Sequence, residues 1–289
     1  EDAARSALWT THSILRDAPA LLSGQTARQL LSGVHSLLAS KGCEVMTRDA
    51  LLLLGALVDD RNFHSQTGAW SLHVDETLSD VFVMEFARAQ IEGGDLELAS
   101  FALRFIGNIA TGNDQQTEQL LERYRLMPVL MRCLHSPEPR TQREAAWIIS
   151  NIAAGPSEHI EMIMENSELL TRLLEHLHHG DPRVRKECCY VFMNLLLGLG
   201  HFRRMRDQEE LLGCGVLFMV DFLWTLPHDD RAIGKALTLF STLLLDHAEW
   251  VEALVERQPP EAADHPLAAL IRTMRDEDRL DFDCFLSFD

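Results

Sequence analysis

Three asparagines, Asn108, Asn151 and Asn194, stand 43 residues apart, each inside a related apolar stretch. The stretches are Arg104-Phe105-Ile106-Gly107-Asn108-Ile109-Ala110, Trp147-Ile148-Ile149-Ser150-Asn151-Ile152-Ala153 and Tyr190-Val191-Phe192-Met193-Asn194-Leu195-Leu196. A repeat of this length cannot bury its apolar face alone and must stack on its neighbours, which predicts a helical solenoid. Each unit reads as a short helix (116–123), a second (126–134), a proline-containing turn and a long amphipathic helix (141–154). The next unit repeats this with helices at 158–166, 168–177 and 184–197, the last after a Gly-Asp-Pro turn at 180–182.

Fainter copies extend the array. Leu52 to Ala56 and Trp9 to Ser13 fit the long-helix pattern upstream, and 236–245 fits it downstream, making six long helices. Residues 61–75 read as an inserted loop, and 258–266 as a second irregular stretch before a final helix pair. The expectation is one stacked domain over residues 1–289.

Aromatic residues make up 7% of the chain and alternating β-branched runs are nearly absent, so the class is all-α. The formal charge of −18 argues against nucleic-acid binding, which needs clustered Lys and Arg, and suits a basic partner. The six cysteines show no disulfide spacing, and a reducing compartment is expected. The apolar runs are too short to span a membrane, a process that takes about 20 residues. No nucleophile elbow, phosphate loop or paired-histidine zinc motif occurs, so neither an enzyme nor a cofactor is expected.

Equivalent positions of stacked helices line up on one surface. One column runs Trp9, Leu52, Arg104, Trp147, Tyr190, Thr238, and a second, four residues on, runs Ser13, Ala56, Asn108, Asn151, Asn194, Thr242. A ladder of carboxamides suits the backbone of an extended peptide, since each offers a donor and an acceptor. Trp147 and Tyr190 suit the stem and charge of Lys or Arg, with Glu144 and Glu187 three residues before them to pair with the cation. The same asparagines can instead cap or cross-link repeats, and the aromatics can be packing. A metal site from His176, His178, His179, Cys188 and Cys189 is a weaker alternative, because the spacing matches no ligand pattern.

The run Ala102 to Thr117, with Arg143-Glu144-Ala145-Ala146-Trp147-Ile148-Ile149-Ser150-Asn151-Ile152-Ala153-Ala154-Gly155, resembles the importin-α (karyopherin-α) family of armadillo-repeat cargo adaptors. The resemblance implies an armadillo-repeat right-handed superhelical solenoid that binds basic nuclear localisation signals antiparallel along its groove, chiefly at the family's minor-type site. It implies peptide contacts from Arg104, Asn108, Thr111, Gly112, Asp114, Thr117, Glu144, Trp147, Ser150, Asn151, Glu187, Tyr190 and Asn194. Tyr190 departs from the family's tryptophan. Of the major site only a remnant is expected, Trp9 and Ser13, with Ser13 in place of asparagine and Leu52 and Ala56 in place of the next aromatic and polar pair. The family's first repeats and basic importin-β-binding segment have no counterpart in these residues. The implied partners are signal peptides of cargo proteins, importin-β and an export receptor, in cytoplasm and nucleus, with no metal, nucleic acid or membrane. The rival expectation is an armadillo scaffold or dedicated chaperone for one protein partner, without a transport role.

Overall fold

A computed structural model describes residues 2–17, 23–40, 46–59, 67–198, 209–227, 231–243, 257–259, 265 and 267–268. These residues form fourteen helices and, among the described residues, no strand. Packing groups the chain into two compact units, Glu1–Ile152 and Ala153–Asp289.

The first unit holds α1 (Asp2–Asp17), α2 (Gly24–Leu38), α3 (Thr47–Leu57), α4 (Thr67–Ser79), α5 (Val81–Glu92), α6 (Leu96–Ala110), α7 (Asp114–Glu122), α8 (Leu126–Leu134) and α9 (Pro139–Ile152). The long helices α1, α3, α6 and α9 pack each on the next, so four of the six expected copies form one layer. Helices α2, α5 and α8 back that layer against α3, α6 and α9 respectively. Apolar residues one turn apart seal the seam: Leu51 and Leu54 of α3, Phe105 and Ile109 of α6, and Ile148 and Ile152 of α9 are fully buried. Each such side chain contributes about 1.5–3 kcal/mol.

Local chemistry fixes the helix ends. Asp95 accepts from the Glu97 and Leu98 amides at the start of α6, and Asn113 and Gln116 form a reciprocal capping box at the start of α7. Pro139 opens α9, where its missing N–H has no intrahelical partner to lose. Arg125, at φ 47°, turns the chain from α7 into α8.

The second unit contains α10 (Ser157–Met164), α11 (Ser167–His179), α12 (Pro182–Gly198), α13 (Glu209–Leu223) and α14 (Arg231–Leu243). There α12 packs on α14, its successor in the long-helix series, and on α11 and α13.

The sequence placed a loop at 61–75, and the structure corrects part of it: residues from Thr67 onward are helical, as α4. Thr67, Gly68, Ser71 and Thr77 are poor helix formers, so propensity hid an element held by burial of Val74, Thr77 and Leu78. Residues 60–66 and almost all of the expected C-terminal helix pair lie outside the described residues. No helix among the described residues is long and apolar enough to cross a membrane.

Candidate peptide-binding surface

Within the first unit, the expected columns run along the exposed side of α1, α3, α6 and α9. Trp9 is 58% exposed, Arg104 is exposed, and Leu52, Trp147, Ala56, Asn108 and Asn151 are half-buried. Ser13 is also half-buried, with its hydroxyl oxygen shielded and without a hydrogen-bond partner.

The Trp147 slot already holds a cation from the chain itself. The Arg104 guanidinium lies 4.5 Å from the Trp147 ring centroid, and its Nη2 donates to Glu144 Oε1 at 2.7 Å. Arg143 also donates to that oxygen. Glu144 is 1% exposed, so a buried carboxylate is balanced by two arginines that reach it from the surface. Its second oxygen is buried and unpartnered. Glu144 therefore braces α9 to α6, besides the role in neutralising a ligand that the sequence suggested.

Trp147 also explains Gly107. A Cβ on Gly107 would collide with Trp147 Cζ3, lie 2.8 Å from Cε3 and stand 3.1 Å from Ile148 Cγ1. The indole thus rests directly on the α6 backbone, and only glycine admits it there. Gly55 holds the corresponding place in α3, and a Cβ there would meet nothing within 4 Å.

The three asparagines differ. Asn108 Nδ2 donates to the Gly55 carbonyl at 2.9 Å, tying α6 to α3. In the second unit, Asn194 is nearly buried and its Oδ1 accepts from Lys235 Nζ. Asn151 has its Nδ2 buried with no partner.

In the second unit a cation also sits on the aromatic. Lys235 of α14 lies 5.5 Å from the Tyr190 ring centroid, and burial pushes its ammonium pKa down, against a smaller opposing influence of Cys189. Glu187 is half-buried near the start of α12.

The sequence did not single out Lys235, although a positional signal was available. Lys235 stands three residues before Thr238, as Glu144 stands three before Trp147. In both cases that position reaches the aromatic-column residue of the preceding long helix, Arg104 for Glu144 and Tyr190 for Lys235. The side chains at 238 and 242 lie outside the described ones.

Of the remaining expected contacts, all but Ser150 of α9 lie at the α6–α7 connection. Thr111 caps α6 and its hydroxyl donates to the Asn108 carbonyl, while the buried Thr117 hydroxyl donates to Asn113 O at 3.4 Å. A Cβ on Gly112 would lie 2.9 Å from Ile109 O, in a turn closed by the Gln116 side chain. Asp114 is exposed in the first turn of α7. Ser150 is buried and donates to the Trp147 carbonyl.

The residues of the alternative metal set do not converge. His178 stacks on Phe218 with centroids 4.1 Å apart, Cys188 and Cys189 are buried, and no group of three potential ligands among the described residues is placed to hold a metal ion.

An Armadillo/beta-catenin-like repeat model matches residues 113–154, the span from α7 through α9. A designed armadillo repeat protein matches with a TM-score of 0.62 at 20% identity, covering 83% of this chain and 92% of that one. The chain has an armadillo-repeat fold. A computationally designed armadillo repeat protein for modular peptide recognition gives a TM-score of 0.62 at 19% identity over 83% of this chain and 93% of that one. A designed armadillo repeat protein in complex with the peptide (KR)4 gives 0.51 at 18% identity, covering 83% and 97%. No curated protein matches the sequence.

Proposed function

We propose that this armadillo-repeat chain is a peptide-binding adaptor that grips an extended, basic peptide at the α6–α9 rung, as an importin-α-like nuclear import adaptor does. The supporting observation is the state of Asn151. Of the three ladder asparagines it alone has a buried side-chain Nδ2 with no partner among the described residues, and a buried donor without a partner costs about 1–3 kcal/mol. Rotation about χ2 exchanges the two ends of the amide, so Asn151 can offer either donor or acceptor to a peptide backbone. On the same helix, Trp147 and Glu144 offer a ring face and a carboxylate that suit a guanidinium, as Arg104 illustrates. A similar fold occurs in a designed armadillo protein that carries the peptide (KR)4. On this reading the cargo is a nuclear localisation signal, the chain works in both cytoplasm and nucleus, and importin-β and an export receptor are further partners. Its work is binding, with no catalytic step.

A second reading, a scaffold dedicated to one protein partner, draws on the engagement of Asn108 with Gly55 and of Asn194 with Lys235. Two of three rungs then brace the repeats. Affinity capture in the presence of excess Lys/Arg-rich signal peptide separates the two. Cargo release by the peptide supports the adaptor; a stoichiometric partner that stays bound rejects it in favour of the scaffold.

A further inference from the structure

The first-unit groove over α1, α3 and α6 has the opposite character from the chain as a whole. One cleft of about 370 Å³ has an apolar floor of Leu52, Ala56 and Phe101, with Arg16, Arg104 and Asn108 around it. A second, of about 700 Å³, opens beside Trp9 and is edged by Arg5, Arg48 and Asp49. His12, Arg16 and Leu52 line both, so the two clefts are continuous. Together they are lined by four arginines against three aspartates, whereas the full chain has 26 Lys and Arg against 44 Asp and Glu. The balance of charge therefore reverses at this groove.

Two of the four arginines, Arg16 and Arg48, are also available, while Arg104 is held by Glu144. Arg16 is exposed and, among the described residues, pairs with its neighbour Asp17, itself exposed, and Arg48 reaches Glu97 at 3.5 Å across an exposed surface. Exposed pairs of this kind are worth little and yield to a better-placed carboxylate. Arg5 is more firmly held, by Asp49 at 3.2 Å. The mostly solvent-exposed Trp9 gives the groove an aromatic platform at one end.

We propose that the α1–α3–α6 groove docks an acidic, extended peptide carrying one apolar or aromatic anchor residue. Its carboxylates meet Arg16 and Arg48, its anchor lies on Leu52, Ala56 and Phe101, and its backbone passes Asn108. The lining of the joined clefts spans three successive helices, α1, α3 and α6, which favours a peptide over a compact ligand, and the −18 charge of the chain repels nucleic acid. Arg16 and Arg48 lie outside the α9 rung, so reversing them tests this groove separately, while Arg104 of α6 borders both.

The test is fluorescence anisotropy of a labelled Asp/Glu-rich peptide containing a single Phe, titrated with the full chain and with Arg16→Glu and Arg48→Glu. Both side chains are exposed, so the variants keep the fold, checked by circular dichroism. The expected result is binding that weakens about tenfold in each variant and falls with added salt. Absence of binding at low salt, or an affinity that neither reversal changes, overturns the proposal. So does a Lys/Arg-rich peptide that competes for the groove. A dimer in sedimentation that the same reversals dissociate also overturns it, in favour of a second copy as the occupant.

Discussion

Gly55 and Gly107 occupy the same repeat position, three residues after Leu52 and Arg104, yet they predict opposite outcomes for one substitution. In a helix interior, glycine to alanine gains about 1 kcal/mol from backbone entropy alone. At Gly55 a Cβ meets nothing within 4 Å, so Gly55→Ala is expected to realise that gain. At Gly107 the methyl displaces the indole of Trp147. Overpacking of this sort costs about 1–3 kcal/mol. Moving the ring also sacrifices the Arg104 stack at 4.5 Å, a further ~0.5–1 kcal/mol at a partly exposed site. Setting these against the entropic gain leaves Gly107→Ala less stable than the parent by about 0.5–3 kcal/mol. Urea denaturation followed by far-ultraviolet circular dichroism measures both variants, with near-ultraviolet bands reporting on the tryptophan. If Gly107→Ala is stabilised as much as Gly55→Ala, with unchanged tryptophan bands, the indole does not rest on α6 and the geometry of the slot is wrong.

Other perturbations test the surrounding structure. His73 is 1% exposed, and burial pushes its pKa down to about 4, opposed by a smaller raising effect of Glu76 and aided by a smaller lowering effect of Arg28. The unfolded chain takes up this proton near pH 6.5 and the folded chain near pH 4, so the stability is fully present above pH 6.5 and is lost as pH falls. The expected loss is ~1.4 kcal/mol per pH unit, about 3 kcal/mol by pH 4, and His73→Phe should flatten that part of a pH-dependent denaturation series; an unaltered slope would rule it out. Glu144→Gln removes the charge shared by Arg104 and Arg143 from a buried position and should destabilise by about 1.5–3 kcal/mol in urea titration, whereas parental stability would show that the brace carries nothing. Lys235→Met removes the ammonium over Tyr190, and calorimetric titration should then show tighter binding of a Lys/Arg-rich peptide if Tyr190 belongs to the binding surface; weaker binding would mean that Lys235 is itself a contact.

The repeat was legible because stacking writes itself into the spacing of apolar residues. The helix expected at 126–134 is α8, and the six long helices are α1, α3, α6, α9, α12 and α14. Helix ends at Asp95, Asn113 and Asn166 follow from side chains that cap locally. The inserted helix α4 was illegible because its composition favours turns and its burial depends on neighbours. The site divides along the same line. Which residues share a surface follows from periodicity, so the alignment of Arg104 with Trp147 and of Asn108 with Asn151 within the first unit was readable. What occupies each slot depends on the register between helices, which no single helix encodes. Thus Arg104 on Trp147, Lys235 on Tyr190 and the amide of Asn108 on Gly55 emerge only from packing. The uncommitted Asn151 amide is likewise a property of its surroundings, since the sequence gives all three asparagines the same place.

The most direct measurement is the affinity of a fluorescent Lys/Arg-rich signal peptide for the parent chain and for Asn151→Ala, Trp147→Ala and Asn108→Ala. If the α9 rung grips the peptide, Asn151→Ala and Trp147→Ala should each weaken binding by about 1.5–3 kcal/mol, roughly ten- to 150-fold. Asn108→Ala, whose amide already serves Gly55, should lower stability more than affinity. Equal affinity for the parent, Asn151→Ala and Trp147→Ala proteins would contradict peptide binding at this rung.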